Sequence, residues 1–149
     1  MSTVGSKPRL YAAGILLVLF LMGMAYALAV PMIGSGAVTL ELKGATRQLA
    51  AGLRKARGIA IAQRDEATLT VDVGQRRFAL SGDSKIYPLP QNIEIDLFTA
   101  QSEQLEEKVG NIRFFPDGTS TGGRITLTAK GSSFAVDVDW LTGKVIITP

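Results

Sequence analysis

Residues 10–33 read LYAAGILLVLFLMGMAYALAVPMI, a stretch without a charged side chain. As an α-helix rising about 1.5 Å per residue, it is long enough to cross the roughly 30 Å hydrocarbon core of a bilayer. A cleavable secretory signal is the alternative, because Ala25, Ala27 and Ala29 resemble a small-residue cleavage site. The apolar core of such a signal usually covers only about 7–15 residues. The length of the run therefore favours a membrane anchor.

The anchor divides the chain of 149 residues into four predicted segments. Pro31 is expected to kink or end the helix, and the glycines after it loosen the helix further. The segments are a short basic leader at 1–9, a transmembrane helix at 10–33, a kinked stem helix at 34–64 and a β-rich head at 65–149.

The stem carries an apolar stripe at helical spacing. Its members recur every three or four residues, as one face of an amphipathic helix does. Lys43, Arg47, Arg54 and Arg57 lie largely off this stripe. We expect the second half of the stem to pack on its own head and the first half to pack on neighbouring subunits. The stripe consists of Leu42, Ala45, Leu49, Leu53, Ala56 and Ala60.

Beyond residue 65 the pattern changes to short alternating runs separated by glycine and proline turns, which is typical of strands. Residues 100–110 are polar and acidic, and we expect a mobile loop or a short exposed helix there. The whole pattern predicts an α+β fold in which a long N-terminal helix packs on an antiparallel β-sandwich-like domain. The predicted strands are 67–73, 76–81, 93–98, 111–115, 124–129, 133–139 and 144–148.

The net charge of +3 hides an asymmetry along the chain. Basic residues dominate the stem, whereas acidic residues outnumber basic ones in the head. The high pI therefore belongs to the stem and argues against a nucleic-acid-binding head. Lys7 and Arg9 before the apolar run balance Lys43 and Arg47 after it, so the positive-inside rule leaves the orientation open.

The sequence contains no histidine and no cysteine. This composition excludes Ser-His-Asp and Cys-His catalysis and the usual zinc sites. Asp137 and Asp139 share one strand face and could work as a carboxylate pair, but a solvated strand face is the favoured interpretation. Asp72 and Asp117 could bind calcium, yet they lack the ligand spacing of an EF-hand. We therefore expect no catalytic residue, cofactor or metal site.

Two blocks near the C-terminus resemble a known family. FFPDGTSTGG at 114–123 is similar to the FFPDGSSTGG-type signature of GspH-like pseudopilins, and WLTGKV at 140–145 is similar to the closing hairpin of that family. LAAGLRKARGIAI at 49–61 resembles the end of the family's helix. The signature residues are Phe114, Phe115, Pro116, Asp117, Gly118, Ser120, Gly122, Gly123, Trp140, Thr142 and Gly143.

The resemblance implies a GspH/FimT-like minor pseudopilin of a type II secretion system with a pilin-like fold. Its expected partners are other pseudopilins, the bacterial inner membrane and secreted protein substrates, with the head in the periplasm. The signature residues have structural roles: Pro116 to Gly118 form a turn, Trp140 caps the core, and Thr142 with Gly143 makes a tight hairpin. A FimT-like type IV minor pilin, including a role in DNA uptake, and a tethered periplasmic hydrolase are the alternatives.

The N-terminus departs from the family pattern. If Pro31 matches the kink proline of pseudopilins, Arg9 occupies the position of the cleavage-site glycine, and Leu10 begins the apolar helix. Gly14 then occupies the position of the glutamate that, in the family, pairs with the N-terminal amine of a neighbour. These departures argue against cleavage by prepilin peptidase, N-methylation and ordinary insertion into a filament, and a divergent variant that stays in the membrane is a further alternative.

Overall fold

The computed structural model describes residues 3–100 and 103–149, and the side chains of these residues except 3–8, 28–36 and 105–106. The chain divides into two compact units, Met1–Ala37 and Val38–Pro149. A single α-helix, α1 (Thr3–Gln63), begins in the first unit and ends in the second.

In the first unit the helix continues through Pro31, which therefore does not end it. A proline without an N–H can be accommodated in a helix that only bends at that point. The side chains around Pro31 lie outside the described residues, so the kink and the segment boundaries drawn there stay predictions.

In the described part of the second unit, nine strands form two antiparallel sheets. The first sheet has five strands in the order β3-β2-β1-β6-β5, and the second has four in the order β4-β7-β8-β9. The α+β sandwich with a packed helix is thus confirmed. The strands are β1 (Ala67–Asp72), β2 (Arg77–Leu80), β3 (Ile86–Pro88), β4 (Glu94–Thr99), β5 (Gln104–Glu106), β6 (Val109–Phe114), β7 (Gly123–Ala129), β8 (Ser132–Val138) and β9 (Val145–Thr148).

The apolar stripe of the stem joins helix α1 to the core of the head. All six of its predicted members are buried there, so the stripe packs on the head in the first half of the stem as well, and the expectation that this half packs on neighbouring subunits is wrong for the stripe. Leu42, Leu49 and Leu53 are fully buried, together with Phe78, Ile112 and Ile125 from the sheets. A Cβ on Gly52 would lie only 3.0 Å from the ring of Phe78, so this helix turn lies close against the five-stranded sheet. The helix therefore completes the core of the head.

Two strands were not predicted. Within the described part of residues 100–110, Gln104–Glu106 form β5 and β6 begins at Val109, so the expectation of a loop or exposed helix is wrong over those strands. Pairing with β6 and burial of Glu103 against Arg113 outweigh the low strand propensity of the acidic residues. β3 runs into Pro88, which is tolerated because β3 lies at the edge of its sheet.

The seam between helix and head predicts a large cost for shortening Leu53. We expect Leu53→Ala to destabilise the head by about 2–5 kcal/mol, because it leaves a cavity among fully buried side chains. Urea unfolding of the full chain in detergent, followed by circular dichroism, measures the change. Leu141→Ala is the control, since Leu141 is 61% exposed and its loss should leave the midpoint nearly unchanged. Equal effects of the two substitutions would contradict this packing.

Candidate functional site

The described N-terminal part of α1 has the composition of a membrane span. Arg9–Ala27 covers 19 residues with a mean hydropathy of 2.1, and none of it is buried by the rest of the chain. A core helix of a soluble protein passes the same hydropathy test but is mostly buried, so that interpretation fails here. Arg9, Leu10 and Gly14 all lie on this uncovered stretch, whereas the side chain of Pro31 lies outside the described residues.

The signature at 114–123 forms a tight connection between β6 and β7. Phe114 is fully buried, and the N–H of Gly118 donates to the carbonyl of Phe115 at 2.9 Å, closing a turn over Pro116 and Asp117. Gly118 has a φ of +90°, which only glycine adopts without strain. The carboxylate of Asp117 accepts bonds from the hydroxyl and the N–H of Thr119, and these bonds lower the pKa of Asp117. The predicted turn is present.

Ser120 fixes the second half of the signature. It is buried, its hydroxyl donates to the carbonyl of Arg113 at 2.8 Å, and it accepts the N–H of Gly122. Its own N–H donates to the carbonyl of Trp140 at 2.9 Å. A Cβ on Gly122 would lie 3.1 Å from that of Trp140, and one on Gly123 would lie 2.9 Å from the carbonyl oxygen of Phe98. The serine and the glycines are therefore required by close packing.

The expectation that Trp140 caps the core is wrong. Its side chain is 66% exposed, because Trp140 lies past the end of β8 and only its backbone carbonyl is held, by Ser120. The hairpin prediction fits better: the N–H of Gly143 donates to the carbonyl of Asp139 at 2.8 Å, and Thr142 accepts the N–H of Lys144.

A contact missed by sequence reasoning joins the two signature blocks to the helix. Nε of Arg57 donates to the carbonyl of Gly118 at 3.1 Å. Gly143 lies so close that a Cβ there would overlap the same carbonyl oxygen and approach Nε of Arg57 at 2.9 Å. One turn earlier, Arg54 donates to the carbonyl of Val145 at 3.2 Å. We call this contact of Arg57, Gly118 and Gly143 the glycine clamp. The sequence feature that could have indicated this contact is the pair Arg54 and Arg57 beside the apolar stripe.

The acidic residues considered for chemistry make separate contacts with other groups. Asp137 pairs with Arg124 at 2.5 Å on the exposed face of the four-stranded sheet. Asp139 lies beyond β8 and accepts the N–H of Leu141, so the two carboxylates do not share a strand. Among the residues that the structure describes, no group of acidic side chains is placed to hold a metal ion.

An open cleft of about 780 Å³ lies between β4 and the β5–β6 hairpin. Ile95 and Leu97 from β4 and Val109 from β6 line it, together with Trp140. Its charged lining residues are exposed, which is unlike the desolvated and convergent polar groups of an active site. The cleft is a surface feature of the head.

The glycine clamp makes a sharp prediction for Gly143, whose φ is +68°. Gly143→Ala should destabilise the head by clearly more than the 1–2 kcal/mol or so that a left-handed backbone costs a non-glycine residue, because the new Cβ also overlaps backbone. Gly131→Ala is the matched control: its φ is +77°, but no atom lies within 4 Å of the added Cβ. Urea unfolding of the full chain compares them, and equal losses would contradict the clamp.

Known proteins match the part of the chain that contains these contacts. The sequence model described as type II transport protein GspH matches residues 45–143, which include the buried stripe and both signature blocks. The type II secretion system protein H of Xanthomonas campestris pv. campestris is 38% identical over 130 residues, covering 87% of this chain and 76% of that protein.

Solved structures share the fold at lower identity. The minor pseudopilin EpsH from the type 2 secretion system of Vibrio cholerae aligns with a TM-score of 0.58 and 15% identity, covering 72% of this chain and 96% of its own. The type IV minor pilin FimU of Pseudomonas aeruginosa aligns with a TM-score of 0.57 and 16% identity, covering 73% and 89%. The fold is thus pilin-like. Since the family match spans most of the chain and the Xanthomonas relative supports it at the level of sequence, this protein belongs to the GspH family of type II transport proteins.

Proposed function

We propose that this chain is a non-enzymatic minor pseudopilin that works at the tip of a type II secretion pseudopilus and takes part in protein export. The observation that carries the proposal is the apolar segment Arg9–Ala27, none of which is buried by its own chain. A helix of this kind is stable only when lipid or other helices cover it. Because the chain belongs to the GspH family, we propose that the helices of other pseudopilins cover this segment.

The proposed placement is a single pass through the bacterial inner membrane with the head in the periplasm. A helix satisfies its backbone hydrogen bonds internally and can therefore cross lipid. Charges flank the apolar run on both sides, so orientation rests on the family: the N-terminus is inside and residues 65–149 are outside. The proposed segments are those drawn from the sequence: leader 1–9, span 10–33, stem 34–64 and head 65–149.

The proposal of a non-catalytic role rests on the chemistry of the chain. The sequence lacks histidine and cysteine, and the described carboxylates are exposed, accept hydrogen bonds, or pair with arginine or lysine. Within the described part of the chain, every buried side-chain nitrogen and oxygen has a hydrogen-bond partner, so none is left unpaired for a substrate to bind. We propose other pseudopilins as partners, and secreted proteins as further contacts of the head.

Charging the uncovered helix tests the proposal. Leu17 and Leu21 lie one turn apart, and each arginine at the bilayer centre costs about 2.5–3.5 kcal/mol on insertion scales. We expect Leu17→Arg with Leu21→Arg to release the chain from washed membranes and to abolish secretion in a host lacking this subunit. Leu17→Ile with Leu21→Ile is the matched control and should secrete normally. Full secretion by a chain released from the membrane would refute the proposal.

A FimT-like type IV minor pilin is the second candidate, because FimU shares the fold almost as closely as EpsH does. A role in DNA uptake needs clustered cations on the head and gives strongly salt-dependent binding. After Trp140 the only basic residue is Lys144. The higher sequence identity to a type II secretion protein supports the first candidate.

We expect the head to make no salt-sensitive contribution to the binding of duplex DNA by the full chain in detergent. Raising salt from 50 to 200 mM should change any residual affinity equally in the unmodified chain and in Lys144→Glu. A fluorescence anisotropy titration measures both. An affinity that falls at least a hundredfold over this range and disappears in Lys144→Glu would favour the type IV candidate.

A further inference from the structure

The four edge strands of the two sheets differ in how open they are to a further strand. β3 and β5 have three residues each, and β3 ends in Pro88, which lacks an N–H for a further strand to bind. β9 has four residues, and the carbonyl of Val145 already accepts a hydrogen bond from Arg54. β4 has six residues, and no strand in the described part of the chain covers its outer edge. It is therefore the longest open edge in this part of the head.

Hydrogen bonds within the chain hold β4 in place at both ends. At its start, the guanidinium of Arg76 donates to the carbonyls of Pro90 and Ile93. At its end, the hydroxyl of Thr99 donates to the carbonyl of Asn111 in β6 at 2.5 Å. A strand that is already ordered loses little conformational entropy when a second strand pairs with it.

The open cleft of about 780 Å³ lies beside this edge. It is lined by Ile95 and Leu97 from β4, together with Val73 and Val109. All four side chains are half-buried, so each keeps some apolar surface in contact with solvent. An extended segment placed beside β4 would cover this surface and pair its backbone with the open edge, which is recognition by β-strand addition.

The side chains on the other face of β4 restrict which strand can pair with it. Glu94 and Asp96 are exposed, and in the described part of the chain neither has an ion pair. On neighbouring strands, like charges directly opposite each other are destabilising, whereas opposite charges stabilise the pairing. The strand that fits therefore carries apolar residues beside Ile95 and Leu97, and lysine or arginine beside Glu94 and Asp96.

A second copy of this chain does not offer such a strand. Every strand in the described part of the chain already belongs to a sheet. Pairing of β4 with β4 of another copy, centred on Asp96, would place like carboxylates opposite each other. The strand must therefore come from a different protein.

The shortness of β4 favours a partner that is anchored in the same membrane. Six residues of extended chain span only about 20 Å, so the contact is small. A partner whose own helix lies in the same membrane is held near the head at a high effective concentration, which compensates for a small contact. This argues for another pseudopilin, rather than a freely diffusing secreted protein, as the source of the strand.

We propose that β4 accepts an extended segment of another pseudopilin, with alternating apolar and basic residues, as a fifth strand of the four-stranded sheet. Backbone hydrogen bonds supply the affinity of such a contact. Glu94 and Asp96 select a basic strand and disfavour an acidic one. The choice of an anchored pseudopilin as partner rests on the proposed function.

Hydrogen exchange tests the added strand, because backbone amides that enter a sheet exchange more slowly. The full chain in detergent is mixed in turn with each of the other purified full-length pseudopilins of its secretion system. We expect exchange of the open-edge amides within Glu94–Thr99 to slow at least tenfold with one of them. Exchange at β3 (Ile86–Pro88), the matched edge strand of the other sheet, should stay unchanged.

Asp96→Lys provides the decisive comparison, because it places a cation where the proposal requires an anion. We expect it to abolish the slowing and to leave the urea midpoint nearly unchanged, since Asp96 is exposed and makes no ion pair with the described residues. Asp65→Lys is the matched control, because Asp65 is an exposed carboxylate just before β1, whereas Val73 follows the other end of that strand. If Asp96→Lys does not fold, Asp96→Asn replaces it and should reduce the slowing at least threefold.

The outcomes divide clearly. Slowing that is confined to β4, lost in Asp96→Lys and kept in Asp65→Lys supports the proposal. It is overturned by no slowing with any pseudopilin, by slowing that survives Asp96→Lys, by equal slowing in the concentrated chain alone, or by slowing only with a secreted protein of the same system.

Secretion by a host that lacks this subunit, with and without the full chain supplied, separates this inference from the proposed function. If no pseudopilin slows exchange in β4 while the chain restores secretion, the inference fails and the proposed function stands. If exchange slows as expected while the chain is dispensable for secretion, the strand contact stands and the proposed function fails.

Discussion

Helix α1 meets two environments along its length, and the rest of the structure depends on this division. From Leu42 to Ala60 one stripe is apolar and buried in the head. Over Arg9–Ala27 the mean hydropathy is 2.1, and the described part of the chain buries none of this stretch. The first pattern builds a folded domain. The second leaves a surface that only lipid or another helix can satisfy, which is why the chain is incomplete on its own.

The head is organised to hold this helix firmly. The backbones at Gly118 and Gly143 lie close together, and Arg57 donates to the carbonyl of Gly118. Arg54 donates to the carbonyl of Val145 in β9. Each bond is modest, but both link residues far apart in sequence and fix the orientation of the β8–β9 hairpin on the helix. Two residues of the family signature, Gly118 and Gly143, thus join the helix to the sandwich.

The sequence predicted the repetitive parts of the fold well. The stripe at three- and four-residue steps and most alternating strands, including 124–129 within β7, follow from local periodicity. β5 could not be found in this way, because its residues have low strand propensity, and its backbone pairing with β6 and the ion pair of the preceding Glu103 with Arg113 form only in the folded chain. The exposure of Trp140 was missed for a related reason: an aromatic residue beside a hairpin gives no local sign of the direction in which it points.

The sequence likewise predicted some features of the candidate site and missed others. The uncovered helix was evident from hydropathy, and the turn at Pro116 to Gly118 was evident from turn chemistry. The clamp around Gly143 required the close approach of three segments, which no local pattern encodes.

The central claim is that the apolar helix is covered by the helices of related subunits. Site-specific photocross-linking tests it most directly, with a photoreactive residue placed in turn at each position from 14 to 24 of the full chain in native membranes. The account predicts adducts with other pseudopilins that recur every three to four positions. Adducts with lipid alone at every position, or cross-links to the chain's own head, would contradict it.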